Sequence, residues 1–328
     1  MSLTTRAPSP FAASSANGNC PHDLVLRSSD NVDFHVHKTV LFLNTPKSFH
    51  TVDDPASQSN ASEASDNLHA GLPVARVKEP SAVLRRLLLL CYPQPIPSSA
   101  IDVLDHIHLV YRAAHAYNMR RVCDIIRSTL LSRIDADPYR VFAVACSLTL
   151  PDTARAAAVG TLKNPNALCS GEYEVSEFSL ISGLCLTALC RFRNQCVHAS
   201  CVAVDRHRYV ANCPSDEATA AFGDLCWWST KGHSRGCGAT VAGTGRDCTL
   251  KSTGWFKLHM ARVYDAVRDT PCSTAAAAAV LDYTACLPCI SRCNLCVADA
   301  PKQLQVLAGI LRTDVDAQVH TVAERWRF

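Results

Sequence analysis

Between Asp23 and Leu43 the spacing of apolar residues changes period along the chain. Leu24 and Leu26 alternate with Val25 and Arg27, the rhythm of a half-buried strand. The next four residues, Ser28-Ser29-Asp30-Asn31, are polar, and Asp and Asn tolerate the backbone angles of a tight turn. Val32, Phe34 and Val36 alternate again, with Asp33 and His35 on the opposite face. His37-Lys38 then opens Val40-Leu41-Phe42-Leu43, an apolar run with helical spacing. The pattern predicts strand, turn, strand, helix.

Farther on, the period is mostly helical. Ile101, Leu104, Ile107, His108, Tyr111 and Ala114 fall on one helical face, and Val122, Ile125, Ile126 and Leu130 on another, with Asn118 suited to cap the bend between them. Asp137-Pro138 starts a helix with Tyr139, Phe142, Ala143 and Cys146 on its apolar side, and Pro151-Asp152 starts the next. Two helices are expected between Leu168 and Cys190. The stretch from Arg206 to Ser252 is rich in glycine and predicts irregular structure, whereas Trp255 to Val267 and Ser273 to Tyr283 read as helices. Leu304, Leu307, Ile310, Leu311, Val315 and Val319 mark a final amphipathic helix. Residues 51–70 are rich in Ser, Asp, Asn and Ala, too polar to offset the entropy of ordering, and predict a mobile insertion.

The first pattern, D-L-V-L…V-D-F-x-V-H-K-x-V-L from Asp23 to Leu41, resembles the first hairpin and helix of a BTB/POZ domain of the basidiomycete fungal type. Gly71 to Pro97 is similar to that family's third strand and next helix, with its Cys-Tyr-Pro ending. Ile101 to Leu131 is similar to its closing helix pair, and Asp137 to Leu162 to the start of its helical extension. The resemblance covers roughly residues 20–165. It implies an α+β fold, a small sheet capping a helical cluster, followed by a mostly α-helical extension. The implied divisions are a disordered tail over 1–19, the BTB/POZ domain over 20–133, the extension over 134–200 and a Cys-rich, mainly helical region over 201–328. After Leu43 the chain departs from the family's usual Ser-Pro-x-Phe segment, beside the surface that BTB domains use for dimer and cullin contacts. The resemblance also implies that Asp23 and Lys38, with His37 beside them, line a charged pocket at a dimer base.

Composition narrows the function classes. With 328 residues and 48% hydrophobic content the chain is long enough for two domains. A net charge of +3 without a basic stripe argues against nucleic acid, and no uninterrupted apolar run of about 18 residues predicts a membrane span. The first twenty residues lack an apolar signal core, so an intracellular setting, cytoplasmic or nuclear, is expected and most of the 18 cysteines should be reduced thiols. Cys91, Cys123 and Cys146 fit helical apolar patterns as small hydrophobes.

One cysteine run stands apart: Cys286-x2-Cys289-x3-Cys293-x2-Cys296. Two C-x2-C units suit one zinc ion, but a gap of three residues is short for a zinc ribbon, and spacings of three and four also make a helical stripe facing a core. On one continuous helix the outer sulfurs would lie about 15 Å apart, although Pro288 opposes such a helix. Cys226, His233 and Cys237 form a second group that would complete a mixed site. The sequence leaves both readings open, structural thiols with no cofactor or a zinc centre. No G-x-S-x-G, H-E-x-x-H or Walker A motif is present, and no catalytic residues are assigned. The expected function is a non-catalytic interaction module: an adaptor or scaffold that forms a homodimer, a candidate cullin ubiquitin-ligase substrate receptor with a further protein partner. The alternative is a zinc-stabilised regulatory protein, nuclear in setting, that uses its Cys-rich region.

Overall fold

The computed structural model describes residues 5–12, 21–45, 68–69, 71–92, 104, 106–164, 174–209, 225–227, 233–234, 237, 239–244 and 249–327. The fold is α+β, mostly helical with a small sheet. The chain divides into two compact units, residues 1–153 and 154–328.

The first unit is built on a five-stranded sheet of β1 (Thr5–Arg6), β2 (Leu24–Arg27), β3 (Val32–Val36), β4 (Leu68–His69) and β5 (Leu72–Arg76), in the order β1-β3-β2-β5-β4. Strands β2 and β3 form the hairpin that the alternation predicts, with Leu24 opposite Val36 and Arg27 opposite Asp33. Asn31 turns it with a φ of 60°. Strand β5 joins β2 in parallel, Val25 opposite Val74, and β4 pairs with β5 across a bend where Gly71 has a φ of 82°. Leu24, Leu26, Phe34 and Val36 share one buried face. The strands are not half-buried, however, because Val25, Asp33 and His35 on the opposite face are buried too.

Two expectations meet the structure here. Residues 5–12, placed by sequence in a disordered tail, supply β1, which runs parallel to β3, and a buried Phe11. The Phe11 ring lies 6.1 Å from Phe34 and 5.4 Å from Tyr92, so one aromatic anchors an otherwise polar segment. Of the predicted insertion, residues 51–67 and 70 lie outside the described residues, while Leu68 and His69 form β4.

The helices of the first unit are α1 (Lys38–Asn44), α2 (Ser81–Cys91), α3 (Ile107–Ala116), α4 (Arg120–Ser132) and α5 (Pro138–Ser147). Their core consists of Leu84, Leu87 and Leu88, Val110, Tyr111 and Ala114, Val122, Ile126 and Leu130, and Tyr139, Val141 and Phe142. Asn118 takes a φ of 57° just beyond α3, the left-handed stop that suits asparagine. Cys91 and Cys123 are buried and Cys146 is half-buried.

Helix α6 (Pro151–Thr161) carries the division between the units. The second unit then has a 3-10 turn (Ser176–Leu180) and one long helix, α7 (Gly183–Tyr209), which runs through position 200 where sequence placed a boundary. The glycine-rich stretch is not irregular throughout: β6 (Ala239–Thr244) and β7 (Thr249–Thr253) form an antiparallel hairpin. Thr240, Val241, Thr249 and Thr253 are β-branched residue types, which strands favour. Helices α8 (Gly254–Asp269), α9 (Ser273–Leu281), α10 (Leu287–Ile290) and α11 (Asn294–Arg325) follow, and α7, α8, α9 and α11 pack together. The buried stripe of α11 is Leu304, Leu307, Leu311, Val315 and Val319. Residues 273–290 are apolar, with a mean hydropathy of 1.3, but they do not form one helix. The chain leaves helical geometry at Asp282, makes a 3-10 turn over Thr284–Cys286 and restarts as α10.

Arg193 of α7 is buried and donates to three carbonyls at the ends of other elements. Its Nη1 reaches Thr161 O at 3.3 Å and Asn164 O at 3.0 Å, and its Nη2 reaches Asp269 O at 2.6 Å. A buried cation is thereby matched to the negative ends of α6 and α8.

Candidate functional site

The candidate site of the second unit begins with a break in a helix. Cys286 ends the 3-10 turn, Cys289 lies in α10, and the chain then turns through Ser291 and Arg292. Cys293 is extended, with φ −130° and ψ 114°, and stands at the N-cap of α11, while Cys296 lies in its first turn. This break rotates the second C-x2-C pair away from the first, so the four cysteines form no continuous stripe.

Cys293 and Cys296 instead meet His233 and Cys237, which precede β6 in the chain. His233 Nδ1 is 3.4 Å from Cys293 Sγ and 3.5 Å from Cys296 Sγ, and Cys237 Sγ is 3.7 Å from Cys296 Sγ. All four donor atoms lie within 4.8 Å of one another. The three cysteines are buried and His233 is half-buried. The sulfurs are too far apart for a disulfide, and every cysteine among the described residues is a free thiol.

The protein environment polarises these thiols unequally. Burial works to raise the Cys293 thiol, but the backbone N–H groups of Ser234 and Cys296, His233 and the Cys237 thiol outweigh it and bring Cys293 down to about 5. Burial raises Cys296 against the opposing Trp255 indole and Cys237. Cys237 is pushed up by burial and by its hydrogen bonds with Cys293 and Cys296. Three sulfurs and an imidazole nitrogen are a set of soft donors around a common centre.

The surrounding shell is aromatic and tight. Trp227 stacks on Phe256 with centroids 4.6 Å apart and planes 2° apart, and Trp255 meets both rings edge-on. The Trp227 carbonyl accepts the Thr253 N–H at 2.9 Å, and the Cys226 N–H donates to Gln303 Oε1 at 2.8 Å.

The other residues singled out by sequence fall around this centre. Cys226 is buried beside Cys293 and Cys296, and burial followed by those thiols pushes it up to about 12, but it is not one of the four convergent donors. Cys286 donates to the Trp255 carbonyl at 3.7 Å and faces Arg262, and Cys289 is half-buried in α10. The signal for pairing H-x3-C with the second C-x2-C was in the chain: a C-x2-C unit needs a distant partner pair, and Cys286-x2-Cys289 is too close. Which distant pair converges depends on tertiary packing.

In the first unit Asp23, His37 and Lys38 come together at the start of α1. The Lys38 N–H donates to Asp23 Oδ1 at 2.6 Å, so the carboxylate holds an orphan donor of the first turn. The His37 N–H donates to Tyr92 Oη at 2.9 Å, and His37 Nδ1 lies 3.2 Å from the same oxygen. Burial first, then the charges of Cys91 and Asp23, push the Tyr92 hydroxyl up to about 12. The His22 ring is 4.8 Å from His37, and burial together with His37 and His35 lowers its titration. Compared with protein-family models, with curated proteins and with solved structures, the chain matches none of them.

Proposed function

We propose that the chain is a non-catalytic protein–protein interaction protein, a BTB-type adaptor that self-associates through its N-terminal unit and serves as a substrate receptor for a cullin ubiquitin ligase. The observation that carries this reading is the order of elements in the first unit. Hairpin 24–36, helix 38–44, strand 72–76, helix 81–91 and the helix pair 107–132 follow one another as the family resemblance implies. An apolar side chain suited to a second copy supports the self-association: Leu43, at the end of α1, is 80% exposed. It lies on the same short helix whose start Asp23 and Tyr92 hold through the Lys38 and His37 N–H groups.

Sedimentation of the full chain tests the reading. A dimer is expected in the micromolar range, returning to monomer in Leu43→Asp. A wild-type chain that stays strictly monomeric up to about 100 μM overturns self-association, because an interface with even about 5–6 kcal/mol of binding free energy shows by then. Co-sedimentation with a cullin N-terminal fragment tests the ligase role, and its absence leaves the chain a scaffold outside that system.

A further inference from the structure

We propose that His233, Cys237, Cys293 and Cys296 bind one zinc ion in a closed, structural Cys3His site. The inference stands apart from the adaptor reading, since it uses only residues of the second unit.

The distances are those that a tetrahedral ion imposes. With metal–sulfur bonds of about 2.3 Å and a metal–nitrogen bond of about 2.0–2.1 Å, tetrahedral angles set sulfurs about 3.8 Å apart and sulfur about 3.6 Å from nitrogen. The protein shows 3.7 Å between Cys237 and Cys296, and 3.4 and 3.5 Å from His233 Nδ1 to Cys293 and Cys296. Packing alone has no reason to aim three sulfurs and an imidazole nitrogen at one point. Buried cysteines acting as small hydrophobes pack singly among apolar side chains, as Cys91 and Cys123 do in the first unit. His233 makes the contrast sharper. Its Nδ1 faces two thiols, and its Nε2 is buried without a hydrogen-bond partner among the described residues. An imidazole whose Nδ1 meets two buried sulfurs stands where a ligand of a tetrahedral site with sulfur donors would stand.

The donor set selects the ion. Three thiolates and one imidazole in a tetrahedron suit zinc, while calcium, magnesium and manganese require oxygen donors. Four protein ligands fill the coordination shell and leave no position for water or substrate, which makes the site structural. Zinc with three thiolates carries a net negative charge, and the N-terminus of α11, a helix of 32 residues, points its positive end at Cys293 and Cys296. The ion would bind residues 233–237 to the start of α11 across 55 intervening residues between Cys237 and Cys293.

The test uses the full chain without a histidine tag. Elemental analysis is expected to find one zinc per chain in the wild type, in Cys226→Ser and in Cys286→Ser/Cys289→Ser. In Cys293→Ser/Cys296→Ser and in Cys237→Ser, zinc should fall to background. If those ligand variants fail to fold, X-ray absorption of the wild-type protein still decides, with an expected shell of three sulfurs near about 2.3 Å and one nitrogen near about 2.0–2.1 Å. Absence of zinc after refolding in its presence, iron in its place, a four-sulfur shell, or zinc retained by Cys293→Ser/Cys296→Ser each overturns the proposal.

Discussion

Arg27 and Asp33 sit directly across the β2–β3 ladder on a face that is buried. Arg27 Nε donates to Asp33 Oδ1 at 2.7 Å and Nη2 to Oδ2 at 2.9 Å, a two-pronged pair that fixes the register as firmly as the apolar residues do. Asp33→Asn, which removes the carboxylate from this pair, should cost about 3–5 kcal/mol. Replacing both partners with apolar residues should recover much of that loss, and chemical denaturation of the three proteins checks it. Phe34, on the opposite face and 1% exposed, makes a second case. Phe34→Asp puts an unpaired carboxylate among Leu26, Val36 and Phe11, at a cost of several kcal/mol, a large share of a domain's stability. Loss of the cooperative melt of the first unit is the expected result. A soluble variant with an intact melt would mean that this face is open to water. The alternation of Val32, Phe34 and Val36 was readable in the sequence because side-chain direction in a strand follows from spacing alone. The burial of Asp33 was not, because it depends on a cross-strand partner that only the turn at Asn31 brings opposite.

At the level of elements, the hairpin turn also fastens the next helix. Ser81 N–H and Oγ donate to the two oxygens of Asp30 at 2.8 and 2.6 Å, and Ser28 Oγ donates to Oδ1 at 2.6 Å. The carboxylate thus caps α2 from 51 residues away. Burial works to raise the Asp30 carboxyl, yet the Ser28 and Ser81 hydrogen bonds hold it below its ordinary value. A lowered carboxyl contributes stability above its unfolded value, and that stability disappears as pH falls through the folded value. Asp30→Ala should therefore cost about 0.5–2 kcal/mol at neutral pH, and the gap in melting temperature from wild type should close in strong acid. A gap that persists unchanged in acid would assign the loss to packing. Arg193 does similar work in the second unit: Arg193→Met, which removes the donor that the Thr161, Asn164 and Asp269 carbonyls share, should cost about 3 kcal/mol or more by denaturant unfolding. Sequence periodicity reached the helices α3, α4, α5, α8 and α11 because each carries an apolar face of its own. It missed the β6–β7 hairpin, because Gly236, Gly238, Gly243 and Gly245 interrupt the alternation that Thr240, Val241 and Thr249 would otherwise carry. It also could not see that Ser291 to Cys293 breaks the cysteine stripe, since that turn is settled by where Cys293 and Cys296 find partners.

For the whole molecule, the two compact units imply two sources of stability. The first unit draws on a sheet with both faces buried and on the leucine-rich α2, whose Leu84, Leu87 and Leu88 are each 1% exposed. The second draws on four packed helices, an aromatic cluster and, as proposed, one metal ion. Ligand binding that is confined to a folded state stabilises that state alone, and a structural zinc site couples folding to the metal. A strong chelator should therefore act on one unit only. Under mild protease it should open cleavage sites around residues 225–244 and at the start of α11 while the first unit, roughly residues 5–150, persists. Calorimetry should show one transition moving to lower temperature and the other unmoved, and added zinc should restore the first. The Cys286→Ser/Cys289→Ser variant should respond to chelation as wild type does, because the Cys286 sulfur meets the Trp255 carbonyl and Arg262 and neither sulfur belongs to the convergent set. If chelation moves both transitions together, the units fold as one and the division at 153/154 is not a thermodynamic boundary. If it moves neither, the sulfurs of Cys237, Cys293 and Cys296 hold the second unit together by packing alone.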